Sequence, residues 1–168
     1  MGMFSSCINL IEAPELPAIT LAERCYQSMF QGCTRLTSAP ELPATTLATY
    51  CYQYMFRECT NLTTAPELPA TTLATYCYSY MFQGCTRLTS APELPAETLV
   101  TSCYSNMFRN CSSLNYIKAL FLTELNTNYT SNWVSGVSST GTFVKNANAT
   151  WDVTGVSGIP EGWTVETA

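Results

Sequence analysis

Apolar residues in this chain recur at one fixed distance. Offsetting the sequence by 26 residues puts Leu10, Leu36, Leu62, Leu88 and Leu114 in a single column, with Ala13-Pro14, Cys25-Tyr26 and Met29-Phe30 opening others. The consensus is LTxAPELPATTLAxxCYxxMFxxCxx. Repetition this strict decides the architecture before composition does. Within one copy the apolar spacing changes period. Leu47, Cys51, Tyr52, Met55, Phe56 and Cys59 follow the i, i+4, i+5, i+8, i+9 spacing of one helix face, which predicts a helix of about three turns. Thr45 or Thr46, after Pro43, is placed to cap its N-terminus. Gly32, Gly84 and Asn110 stand where a left-handed residue ends a helix, a pattern from which Glu58 departs. The intervening LTSAPEL is bounded by prolines and reads as a brief extended segment, narrow at Pro40, which has no amide proton. Strict alternation turns Leu36, Ser38, Pro40 and Leu42 inward and Thr37, Ala39 and Glu41 outward.

One short helix and one short strand cannot bury their apolar faces alone, whereas stacked copies form a continuous core. The Leu-x-x-x-Pro opening, the ending Phe-x-x-Cys-x-x-Leu (Phe56, Cys59, Leu62) and the lack of a plant-type Asn motif resemble the BspA-like bacterial leucine-rich repeats over about residues 3–117. That family usually has Ile or Val at the sites of Ala39 and Glu41, and its pattern turns Ala39 inward. Alternation is preferred near Glu41, because burying a column of unpaired glutamates is costly. The resemblance implies a non-enzymatic adhesion or interaction module on a surface or secreted protein of anaerobic bacteria, with no particular ligand. The expected fold is an α/β repeat: a right-handed leucine-rich-repeat solenoid with one short strand and one short helix per 26-residue repeat. It occupies residues 1–117, a partial repeat at 3–10 and then four full ones, followed by a small β-rich capping segment at 118–168.

The two ends differ in kind. Met3, Phe4, Cys7 and Leu10 are in phase with Met29, Phe30, Cys33 and Leu36, so the chain begins inside a repeat and reads as cut from a longer protein. Its localisation therefore rests on the resemblance and not on an N-terminal signal. After Ile117 the exact repeat stops, and the runs GTFVKN, ATWDVTG and GWTVETA read as short strands joined by turns. Two uses stay open for Trp133, Trp151 and Trp163: covering the last core face, or forming an aromatic platform for a sugar ring.

Composition narrows the chemistry. An apolar content of 46% in 168 residues suits a folded chain. Seven scattered Lys and Arg with a net charge of -5 leave no basic patch for nucleic acid. No run approaches the roughly 20 apolar residues of a membrane span, so no direct membrane insertion is expected. Without histidine no Ser-His or Cys-His pair can be assembled, and no phosphate-cradling glycine loop is present, so neither an enzyme nor a cofactor is expected. Nine cysteines follow the repeat. On a helix Cys51 and Cys59 would lie roughly 12 Å apart, too far to bridge. An inter-repeat bridge in the Cys33, Cys59, Cys85 and Cys111 column stays open beside the reading of cysteine as a small buried apolar residue. With no CxxC and no histidine, a metal site is not expected.

Two columns remain as candidate sites. Glu15, Glu41, Glu67 and Glu93 repeat one environment, which does not push carboxylate pKa values apart as acid-base catalysis needs. They form either a solvated row or an acidic stripe for a basic partner or weakly held cations. Tyr50, Tyr54, Tyr76 and Tyr80 occur only in the two central repeats, and serve either packing between repeats or a recognition surface. The expected function is a binding module that offers Thr37, Glu41, Thr63, Glu67, Thr89 and Glu93, together with these tyrosines, to a protein or glycan. The alternative is a structural spacer or stalk on a cell or virion surface with no ligand of its own.

Overall fold

A computed structural model describes residues 2–168. Successive 26-residue units lie side by side in parallel register, with Thr20 bridging to Thr46, Ser38 to Thr64 and Ser90 to Tyr116. Each unit is one coil of the chain, stacked on the next.

The predicted helices do not form. Among the described residues the only α-helix is α1, Thr127–Thr130, a single turn in the tail. The Leu47–Cys59 stretch and its equivalents are instead a run of tight turns in which every fourth residue is left-handed: Tyr50, Tyr54 and Glu58 have φ of 59°, 59° and 61°. Hydrogen bonding alternates. The N–H groups of Cys51, Gln53, Met55, Arg57 and Cys59 bond to carbonyls three residues back, while those of Tyr50, Tyr52, Tyr54, Phe56 and Glu58 cross to Thr75, Cys77, Ser79, Met81 and Gln83 of the next coil at 2.7–3.2 Å. Every backbone donor in the run is thus satisfied, half of them only by the neighbouring coil.

The apolar spacing explains why this geometry replaces a helix. Leu47, Cys51, Met55 and Cys59 are spaced by four, and so are Tyr52 and Phe56. On an α-helix each four-residue step overshoots a full turn by about 40°, so the stripe would slide out of the core. A conformation that itself repeats every four residues keeps the stripe straight, and Cys51, Tyr52, Met55, Phe56 and Cys59 are all buried. The expected caps change meaning accordingly. Thr45 and Thr46 direct their own N–H groups to the Ile19 carbonyl and cap nothing. Gly32, Gly84 and Asn110 are left-handed (φ 74°, 75° and 61°) as the last members of each four-residue series, and Glu58 adopts the same conformation without being glycine.

The extended segments are shorter than a strand and do not alternate strictly. Leu36 and Leu42 are buried and Thr37 and Glu41 exposed, as expected, but Ser38 lies outward and Ala39 packs against the core. The small apolar residue takes the inward place, leaving the serine hydroxyl in water where its hydrogen bonds are free. At the last exact copy the register shifts by one residue. Between the bridges Ser90–Tyr116 and Leu94–Ala119, three residues of one coil face two of the next, the count of a β-bulge. Glu93 lies outward and Leu94 inward at this bulge, as Glu41 and Leu42 do in a coil that faces a full copy of itself.

Aromatic ladders run through the core. Phe4, Phe30, Phe56, Phe82 and Phe108 stack at ring-centroid steps of 5.6–5.8 Å, and Tyr26, Tyr52, Tyr78 and Tyr104 at 5.8–5.9 Å. The thiols of Cys33, Cys59, Cys85 and Cys111 donate to carbonyls of Phe4, Phe30, Phe56 and Phe82 at 3.0–3.1 Å. All nine cysteines are unbridged.

Stacking continues across Ile117. Strand β1, Tyr116–Ala119, pairs in parallel with β2, Thr142–Lys145, at an offset of 26, and β2 pairs with β3, Thr164–Thr167, at 22, one four-residue turn unit shorter. Phe108 donates to the Trp133 carbonyl, and Asn132 and Gly136 keep the left-handed series going. Trp133, Trp151 and Trp163 are 0%, 5% and 7% exposed. Their indole N–H groups donate to the carbonyls of Gly158, Phe121 and Ser138. Rings sunk in the core with their donors satisfied cannot serve as a sugar platform, which corrects that expectation. Trp133 instead ends the ladders, within 5.9–6.5 Å of Tyr104, Phe108, Phe121 and Phe143.

Candidate functional site

The PELP segments build a concave surface on one side of the stack. Proline restricts its own backbone and the preceding residue to extended conformations, so each Pro-Glu-Leu-Pro stretch is held straight while Leu42, Leu68 and Leu94 anchor it to the core. Shallow clefts lie between neighbouring segments. One of about 420 Å³ has Glu15 and Glu41 on its walls with Pro17, Pro40 and Pro43. The next, about 440 Å³, has Glu41 and Glu67. A third, about 400 Å³, has Glu67 and Glu93 above Pro66, Pro69, Pro92 and Pro95. The glutamate column thus separates consecutive clefts, and Glu41 and Glu67 each serve two.

The carboxylates are exposed. Among the described residues Glu15, Glu41 and Glu67 have no ion-pair partner, whereas Glu93 holds the Lys118 ammonium at 2.9 Å. That hydrogen bond, helped by the attraction of opposite charges, raises the lysine pKa above its ordinary value. Neither Lys118 nor the prolines stood out as site residues in the sequence. The signal for the prolines was available in the Pro-x-x-Pro spacing that brackets every glutamate of the column; the Lys118 contact depends on the bulge and was not visible. Thr37, Thr63 and Thr89 are exposed on the neighbouring strand segment. Their backbone groups are engaged between coils: Thr63 donates to the Thr37 carbonyl through both its N–H and its hydroxyl, at 3.0 and 3.1 Å.

The four tyrosines come together as two pairs and line none of these clefts. Tyr50 stacks on Tyr76 at 4.9 Å and Tyr54 meets Tyr80 at 4.8 Å. Arg24 covers the far face of the first pair, 4.7 Å from the Tyr50 centroid, and Arg57 approaches Tyr54 at 5.7 Å. All four occupy left-handed positions and are half-buried. The ring pairs join adjacent coils, Tyr50 to Tyr76 and Tyr54 to Tyr80.

The buried thiols are poor nucleophiles. Burial pushes Cys59 and Cys111 up to about 12 and Cys51 and Cys103 up to about 11, so the reactive thiolate is scarce at neutral pH. No group of three or more potential metal ligands lies together among the described residues, and no helix there is long and apolar enough to cross a membrane.

No curated protein and no solved structure matches this chain. A family model for the BspA type leucine-rich repeat region matches in 6 copies over residues 1–133. The match runs past Ile117 to the tryptophan that ends the ladders, in step with the stacked backbone, and the chain belongs to the BspA-type leucine-rich repeat family.

Proposed function

We propose that the chain is a non-enzymatic protein-binding module of a bacterial surface or secreted protein, and that it presents the Thr- and Glu-lined face to its partner. Repeats of this family are generally surface protein-interaction modules and typically lack enzymatic activity. The reading takes the stacked coils as a right-handed solenoid, the form whose long side faces suit extended partners. What supports it most is the series of proline-floored clefts with glutamates between them, which offers one chemistry repeatedly along a line. A protein is favoured over a glycan because all three tryptophan rings are buried.

The test is saturable binding to immobilised extracellular-matrix proteins and to a glycan array, with wild type compared against a Glu41→Gln/Glu67→Gln double variant. Saturable protein binding lost in the variant is the expected result. Glycan-only binding overturns the protein assignment, and binding indifferent to the variant overturns the face. A second reading, a rigid spacer, draws on the unbroken aromatic ladders, which resist bending of the stack. It predicts that nothing on either panel binds.

A further inference from the structure

We propose that the proline-floored groove takes a lysine- or arginine-bearing peptide in the polyproline II conformation, with a cation at every third residue. The inference rests on the protein-binding reading above and specifies its ligand. Lys118 provides the first argument. At the fourth glutamate of the column the chain supplies its own cation, and the Lys118 ammonium sits 2.9 Å from Glu93 beside the cleft that Glu67 also lines. Glu15, Glu41 and Glu67 repeat that setting without an ion-pair partner among the described residues. The contact is thus an internal copy of what a ligand would do at the other three positions, and it closes one end of the groove.

Spacing provides the second argument. Neighbouring parallel segments lie about 4.8 Å apart, so glutamates two coils apart, such as Glu15 and Glu67, are separated by about 10 Å. A polyproline II chain rises about 3.1 Å per residue with three residues per turn, so residues i and i+3 share a face about 9 Å apart. A fully extended strand presents same-face side chains about 7 Å apart and falls out of step with the coils. The groove floor of prolines, alanines and leucine side chains is apolar and rigid, so a prolyl ligand stacks on it with little loss of freedom on either side.

The experiment uses a fluorescein-labelled peptide of four Pro-Pro-Lys units, titrated with the whole chain and followed by anisotropy. The comparison peptides are four Pro-Pro-Glu units and a Pro-Lys alternating peptide of equal charge. Saturable binding of the first, absent for the glutamate version, weaker for the alternating one and reduced by salt, is expected. Glu15→Gln/Glu67→Gln should bind about tenfold more weakly with an unchanged circular dichroism spectrum. Lys118→Met frees Glu93, which lies two coils from Glu41 and so gives the peptide a second register, and should tighten binding. Equal binding of all three peptides, insensitivity to the glutamate variant, or weaker binding by Lys118→Met overturns the inference. If a panel protein binds through Glu41 and Glu67 while the lysine peptide does not, the peptide inference fails and the binding module stands.

Discussion

Ser28 offers a sign test of the turn ladder. It lies midway along the first complete run, where the apolar pattern by itself predicts the middle of a helix, yet its φ is 56°. Its N–H crosses to the Gln53 carbonyl at 2.8 Å, and its hydroxyl makes no hydrogen bond among the described residues, so substitution changes little except the backbone preference. A side-chain-bearing residue in the left-handed region costs about 1–2 kcal/mol. Glycine avoids that cost but gives up about 0.5–1 kcal/mol of extra unfolded-state freedom. Ser28→Gly should therefore stabilise the chain by about 0.5–1 kcal/mol, and Ser28→Ala should leave it unchanged or weaken it. In a helix the order is the reverse, since alanine is favoured over glycine by about 1 kcal/mol with serine between. Unfolding followed by near-ultraviolet circular dichroism reads the difference. For a chain of this length about 1 kcal/mol moves Tm by roughly 2–4 °C. Stabilisation by alanine together with destabilisation by glycine would refute the left-handed assignment and the four-residue period built on it.

Other consequences follow from the core. Phe56→Ala removes a ring stacked on both sides by Phe30 and Phe82 and should cost about 4–5 kcal/mol in guanidinium unfolding; a loss below about 2 kcal/mol would mean the ladder closes over the gap. Tyr78 is buried with a hydroxyl that meets no partner, so Tyr78→Phe should stabilise by about 1 kcal/mol, and a loss of similar size would show that the hydroxyl is satisfied in solution. Exposed Cys7 and Cys25 should react with an alkylating agent at neutral pH well before the seven buried thiols, which mass spectrometry can assign residue by residue; early labelling of Cys77 or Cys85 would contradict their burial. Burial raises the folded-state pKa of Cys59 and Cys111 from 9.0 to about 12. The stability they contribute is therefore complete below pH 9 and lost as pH climbs toward 12, so alkaline unfolding should set in across that window. Unchanged Tm through it would count against that burial.

Much of the core was legible in the sequence, and the physical limits of the reading are specific. Columns such as Leu36-Leu62-Leu88 and Phe30-Phe56-Phe82 are buried because identical positions must stack once the chain repeats. The helix was misjudged because a period of four and a period of 3.6 place Leu47, Cys51 and Tyr52 alike. They part company only over several steps, where Cys59 stays buried with no drift. Asn, Ser and Gly at every fourth position carried the missing signal, but Tyr50 and Tyr54 hid it, being residues seldom found at positive φ. Ser38 was misplaced because alternation assumes an unbroken ladder, which Pro40 and Glu41 interrupt. In the candidate site the glutamates were visible as a column. The clefts between them were not, since they arise from two coils and no single segment encodes them.

The turn ladder also gives the stack a direction. Within the turn runs every crossing N–H points toward the C-terminal side and is received on carbonyls facing the other way, the opposite sense to Thr45, Thr46 and Thr63, which donate back to the preceding coil. The same polarity holds at every step, from Phe4 and Ser6 donating to Met29 and Gln31 to Phe108 and Asn110 donating to Trp133 and Ser135. Exposed β-edges carry donors and acceptors together and zip onto their own kind; a turn run offers its neighbour only one kind of group on each side, so coils can be added to the stack in one polarity alone.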